Sequence, residues 1–177
     1  MLRGMDRRGF TIVELIVIIA VMGILLVLGV VNLNGAQANA RDAERKTDIE
    51  TLVAHLETYY KSGTDGSTAV GQYPSVPSVS DPTNGLIGHE IIYLRDLDTD
   101  TIMTPGASNS SLIAATNNIQ TVAGVLPQPT IGQYLYQPIA SDGNLCDNSS
   151  TDECRKFNLY YRLEVDNILY MVTSRNQ

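Results

Sequence analysis

The chain has 177 residues, 12 basic against 19 acidic side chains (formal net charge −7), two cysteines and two histidines. That length holds one modest domain plus a long helix. The acidic balance argues against direct nucleic-acid binding, because the surface as a whole repels phosphates. The histidines, His55 and His89, lie in no motif. No P-loop, nucleophile elbow or zinc-binding helix is present, so the sequence offers no catalytic constellation.

Residues Arg7-Arg8-Gly9-Phe10-Thr11-Ile12-Val13-Glu14 open an apolar run from Leu15 to Val31. A carboxylate at the centre of a membrane helix costs roughly 2.5–3.5 kcal/mol on insertion scales, somewhat less near an end, so Glu14 calls for a partner. Cutting the chain after Gly9 would create one. Phe10 then carries a free ammonium, and Glu14 lies one helical turn away on the same face. A secretory signal peptide would use Arg3, Arg7 and Arg8 as its charged region. The run is long for that, and Ala36-Gln37-Ala38 is a poor cleavage site. An ordinary single-pass anchor fits the length but gives Glu14 no reason. The arginines before the run place the N-terminus inside, since Arg41, Arg45 and Lys46 after it are interspersed with Asp42, Glu44 and Asp48. Residues after about Gly35 are then expected outside the cytoplasmic membrane.

The stretch Gly9-Phe10-Thr11 to Glu14-Leu15, with Arg8 before it and the apolar run after it, resembles the class III signal of type IV pilins and type II secretion pseudopilins. The resemblance implies an α+β, type IV pilin-like fold: a long N-terminal helix, transmembrane then amphipathic, packed on a small C-terminal antiparallel sheet. It implies that a prepilin peptidase removes residues 1–9 and methylates Phe10, and that Glu14 is the assembly carboxylate. Gly23 sits where such chains often carry glycine. Val31 stands where many carry a kinking proline, so proline-driven melting of the helix is in doubt. Gly29 and Asn32-Leu33-Asn34-Gly35 supply weakness instead.

Residues 10–35 are therefore read as the transmembrane and assembly helix, and 36–61 as its amphipathic half. Ile49, Leu52, Val53, Leu56 and Tyr60 recur at helical spacing, while Asp48, Glu50, Thr51, His55 and Glu57 fill the other faces. Ser62-Gly63 ends the helix. The globular head is expected over 62–177, with a loop region at 62–130. Within it, Gly71-Gln72-Tyr73-Pro74 resembles the Gly-x-Tyr-Pro segment that follows the long helix in many pilins and pseudopilins. Leu112 to Ile119 is read as a short helix. Asp96, Asp98 and Asp100 evoke the start of a calcium loop, and some pseudopilins bind calcium in this general region. The glycine and closing glutamate of such a loop are missing, so the bland reading, a solvated acidic turn, is preferred and no metal or cofactor is expected. The sequons at Asn109 and Asn148 are of a kind that Ser- and Asn-rich loops generate by chance.

The sheet is expected over 133–173. Residues 133–137 alternate weakly. Phe157, Leu159, Tyr161, Leu163 and Val165 alternate clearly, Asp166-Asn167 reads as a two-residue hairpin turn, and residues 168–172 return. Cys146 and Cys154 lie close together in an exported domain, so they are read as a disulfide clipping a turn-rich loop; the alternative is a pair of free thiols.

Together these features point to a structural protein, not an enzyme: a pilin, major or minor, of a homo-oligomeric helical filament used for motility, adhesion, DNA uptake or secretion. Its expected partners are the prepilin peptidase and methyltransferase and the pilus or secretion machinery. It would reside in the cytoplasmic membrane before assembly and in an extracellular fimbrium afterwards. A type II secretion pseudopilin is the alternative, and a membrane-anchored adhesin or DNA-uptake binding module a further one.

Overall fold

The computed structural model describes residues 9–62, 70–76, 94, 97–108, 111–146 and 153–176. The leader residues before Gly9, His89, Asp96, both sequon asparagines and the whole 77–93 stretch lie outside them. The chain divides into two units, Met1–Ala38 and Asn39–Gln177.

A single helix, α1, is assigned to Ile12–Ser62. In the first unit it is apolar on every face, and Ile12 to Val30 expose their large side chains. It is long and apolar enough to cross a membrane by length and composition. In the second unit it is one-sided: Ile49, Leu52, Val53, Leu56 and Tyr59 are buried while Ala43, Lys46, Glu50, Ala54 and Thr58 are exposed. The hydroxyls of Thr47, Thr51, Thr58 and Ser62 donate to the carbonyls four residues back, which satisfies them locally on the helix surface.

The sheet has four strands in the order β1 (Leu112–Ala114), β2 (Tyr134–Ala140), β3 (Cys154–Arg162) and β4 (Leu169–Thr173). β2, β3 and β4 are antiparallel, as the sequence predicts, but β1 runs parallel to β2, so the sheet is mixed. Leu112 to Ala114 thus form a strand, not the start of a helix. The Ala115 N–H donates to Tyr136 O and the Tyr134 N–H to Ser111 O, so pairing across 22 residues overrides local preference.

One face of the sheet packs on α1. Tyr134, Tyr136, Phe157, Leu159, Tyr161 and Leu163 meet Ile49, Leu52, Val53 and Leu56 in the main core. The other face, with Leu135 and Tyr160, is covered by Ala115 and Val125 of the 115–130 segment. All seven residues of β2 are buried in consequence. A strand covered on both faces loses its alternation, which is why residues 133–137 read weakly.

The hairpin loop is longer than the sequence suggests. β3 ends at Arg162, the Leu163 N–H donates to Ile168 O, and Glu164 to Asn167 form the loop, with Asn167 at φ 55°. Val165 is therefore 58% exposed and not on the core face. Asp42 supplies the reason. Its carboxylate accepts the N–H groups of Glu164 (2.7 Å) and Val165 (3.0 Å) and draws both out of the ladder.

Candidate functional site

At the start of α1, Gly9 and Phe10 are exposed. Thr11 and Glu14 form a reciprocal cap. The Glu14 N–H donates to Thr11 Oγ1 at 3.2 Å, and Glu14 Oε2 accepts from the Thr11 N–H (3.0 Å) and its hydroxyl (3.1 Å). This is the Ser/Thr-x-x-Glu capping box, which satisfies two orphan donors at once and places a carboxylate at the positive end of the helix dipole. Glu14 therefore has a local role as well as the one assigned to it from its apolar surroundings. The Thr11-x-x-Glu14 spacing was the available signal. Both Thr11 bonds fall on Oε2, and among the described residues no hydrogen bond to Oε1 is found.

In the second unit four carboxylates do most of the polar organising. Asp42 is buried and accepts from buried Arg45 at 2.9 Å as well as from the β3–β4 loop. Arg41 reaches Glu164 at 2.6 and 2.8 Å, a bidentate pair that holds the Glu164 carboxyl below its usual range. Arg45 is buried and its Nε has no hydrogen-bond partner among the described residues. Asp48, half-buried, accepts from the Tyr134 hydroxyl at 2.7 Å. Glu57 corrects the sequence reading, which put it on a polar face: it is buried, and it accepts from the Tyr73 hydroxyl (3.1 Å), the Arg175 N–H (2.8 Å) and Asn176 Nδ2 (2.6 Å). Asp42 and Glu57 meet the β3–β4 loop and residues 175–176, where N–H groups outside the sheet ladder need acceptors.

Cys146 and Cys154 are joined by a disulfide, with Cα atoms 5.7 Å apart and both residues buried. The Gly71-Gln72-Tyr73-Pro74 segment lies against them. The Tyr73 N–H donates to Cys154 O and the Val76 N–H to Cys146 O, each at 2.8 Å, and the Tyr136 hydroxyl donates to Pro74 O at 2.7 Å. The Gly71 N–H donates to Tyr60 O, which requires the tight turn that Gly71 makes at φ 86°. Tyr60, Tyr73 and Phe157 pack in sequence behind it, the first pair tilted and the second edge-to-face, with ring centroids 4.7 and 4.8 Å apart.

Of the calcium candidates, Asp98 caps the short 3-10 turn Thr99–Ile102 by accepting the Asp100 N–H at 3.1 Å, and Asp100 is exposed. Among the described residues no group of three or more His, Cys, Asp or Glu side chains is placed to hold a metal ion. His55 is partly buried and enters no such cluster.

Residues 4–30 match the family model of the prokaryotic N-terminal methylation motif. Over 82 residues the chain is 37% identical to the type II secretion system core protein G of Klebsiella michiganensis, covering 43% of this chain and 58% of that protein. It is 34% identical over 79 residues to the core protein G of Pectobacterium carotovorum subsp. carotovorum (41% and 51%). It is 32% identical over 54 residues to the type IV major pilin protein PilA of Myxococcus xanthus (30% and 24%). Motif and relatives together support the pilin and pseudopilin family. The aligned part of this pilin-like chain spans about half the length of the core protein G relatives and a quarter of PilA. No solved structure matches it.

Proposed function

We propose that the chain is a structural subunit of a type IV pilus-like extracellular filament. The observation that carries this is the pairing of an exposed, wholly apolar helical segment with a carboxylate in its first turn, inside a methylation motif. Residues 1–9 are the leader, and cleavage between Gly9 and Phe10 removes it. Residues 10–35 then act as membrane anchor and later as filament core, where apolar helices replace lipid. Phe10 gains an ammonium group and is N-methylated.

Glu14 sets the register. A buried carboxylate without a partner is costly, so a subunit is accepted best where Glu14 meets the Phe10 ammonium of a neighbour. The capping box supports this role, because it fixes the carboxylate in the first turn, beside the end that cleavage would create. The head, residues 62–177 with the helix half 36–61, is carried outside.

Mass spectrometry of the N-terminal peptide from material sheared off cells tests the reading. Methylated Phe10 in that fraction is the expected result. A chain still carrying Met1–Gly9 in a processing-competent cell would overturn it. Glu14→Gln should reduce assembly severely without blocking cleavage; normal amounts of filament from that variant would remove Glu14 from the mechanism.

A second reading, a type II secretion pseudopilin, is favoured by the two core protein G relatives, whose alignments are longer than that of PilA. Methylated Phe10 confined to the membrane fraction is the outcome that selects it.

A further inference from the structure

The disulfide is shut away from solvent. Cys146 and Cys154 are 0 and 3% exposed, and both belong to the main core with Tyr73, Ala140 and Phe157. The sheet places their backbones as well as the sulfur bridge does. Cys154 pairs with Ala140 across β3 and β2, and the Cys146 N–H donates to Pro138 O at 3.0 Å. Segment 71–76 crosses both cysteines. Its Tyr73 N–H lies on Cys154 O and its Val76 N–H on Cys146 O, and Tyr73, Pro74 and Ser75 are buried.

Gly71 to Ser75 belong to no helix or strand. Besides the cysteine carbonyls, three contacts hold them. The Gly71 N–H donates to Tyr60 O at 2.8 Å, Arg155 Nη1 donates to Gly71 O at 3.0 Å, and the Tyr136 hydroxyl donates to Pro74 O at 2.7 Å. Gly71 sits at φ 86°, where any side chain is strained, and a Cβ there would also lie 3.4 Å from Arg155 Nη1. A segment held by turn and side-chain contacts, outside the ladder, can open while the sheet stays formed.

We propose that residues 71–76 are a seal over the disulfide, so that thiol–disulfide exchange at Cys146 and Cys154 proceeds only while the seal is open. Exchange needs a thiolate to reach a sulfur, and with the segment closed both cysteines are buried. Opening requires the loss of the five hydrogen bonds named above and no change in the pairing of β2, β3 and β4.

The same geometry orders a reaction sequence. The bridge forms when an external protein disulfide accepts two electrons from the two cysteine thiols. One cysteine thiolate attacks that disulfide, giving a mixed disulfide and expelling one thiolate of the oxidant. The second cysteine thiolate then attacks the cysteine sulfur of the mixed disulfide and expels the other. The two cysteine protons end on the two thiols of the reduced oxidant. Both attacks need the open segment. An oxidant of this class therefore acts before Gly71-Gln72-Tyr73-Pro74 closes, and closure then protects the product. This assigns a role to the Gly-x-Tyr-Pro segment and does not depend on the filament reading.

Reduction of the folded full chain in detergent micelles tests the seal, with dithiothreitol as reductant and released thiols alkylated and counted by mass. The parent chain should be reduced at least about a hundredfold more slowly than oxidised glutathione. Gly71→Val strains the closed turn at a position the sheet does not use, and should raise the rate at least about tenfold. Gln137→Leu weakens the fold from the other face of β2 and leaves the contacts of the segment in place, so its rate should stay within about threefold of the parent's. The near-ultraviolet tyrosine signal verifies that each variant is folded. In the parent chain, hydrogen exchange should release the Tyr73 and Val76 amides before those of β3. A parent chain reduced as fast as oxidised glutathione shows that there is no seal. A Gly71→Val rate no higher than that of Gln137→Leu, or Tyr73 and Val76 amides as slow as those of β3, shows that global unfolding controls exchange. Each of these results overturns the proposal.

Discussion

The Tyr134 hydroxyl donates to Asp48 Oδ2 at 2.7 Å and ties the middle of the helix to the strand beneath it. Burial pushes the Asp48 carboxyl up from 3.8 to about 6; the Tyr134 bond and Arg45 work against that rise, and Glu44 and Asp100 reinforce it. A carboxyl whose folded-state value lies above its unfolded value holds its proton more tightly when folded. Its contribution to stability therefore falls as pH rises through the window from 3.8 to about 6. Because Asp48 is half exposed, the effect is on the order of 1 kcal/mol. Asp48→Asn keeps an acceptor for Tyr134 and removes the titration. It should be more stable than the parent at neutral pH, with the gap closing below about pH 4, as followed by thermal unfolding at several pH values. A gap that does not change with pH would contradict this.

Asp42 and Arg41 bond the same loop, yet their removal should differ several-fold. Asp42→Ala strands buried Arg45 and two loop N–H groups, and should cost about 3 kcal/mol, toward the lower end for a broken buried pair because Glu164 remains 3.5 Å from Arg45. Arg41→Ala removes a pair about one-third exposed, which solvent screens, and should cost several-fold less. Denaturant unfolding of the two variants checks the ratio.

Gln137 is fully buried in β2. Its Nε2 donates to Asn117 O and Ile119 O, and its Oε1 accepts from Asn158 and the Tyr160 hydroxyl. Gln137→Leu leaves those groups without partners and should destabilise the head by about 3 kcal/mol. Gln137→Glu keeps the acceptor but loses the donor, so the 117–119 segment should exchange its amides faster by hydrogen exchange while β3 stays protected.

Glu57 anchors the tail through the Arg175 N–H and Asn176. Glu57→Ala should leave the fold cooperative but make residues 174–177 accessible to carboxypeptidase. Mass spectrometry after brief digestion reads this directly, and a tail equally resistant in parent and variant would show that Glu57 does not hold it.

The long helix and the Phe157–Val172 hairpin were legible because their periods, 3.6 and 2, are local properties of the chain. Asp42, Glu57 and the shape of the hairpin loop were not. Asp42 meets its loop 122 residues away, and Glu57 meets Asn176 119 residues away. On a helix surface each reads as an ordinary solvated acid, and only the folded chain reveals the donors they satisfy. β1 escaped for a similar reason, since three residues carry no period and their strand character comes from β2 alongside. At the N-terminus the motif pointed to Glu14, and the spacing to Thr11 held a second message that attention to charge alone passed over.

The hydrogen bonds from Tyr73 and Val76 to the two cysteine carbonyls bear on how much this chain can be altered. Val76 is held on the disulfide, and Leu94 and Leu97 are buried in the core, so both flanks of the intervening stretch are fastened independently of its length. A flexible connection between fixed ends costs only about 0.6 kcal/mol per doubling of its length, so the anchors at the disulfide and in the core, and not the number of residues between them, set how firmly residues 73–76 are seated.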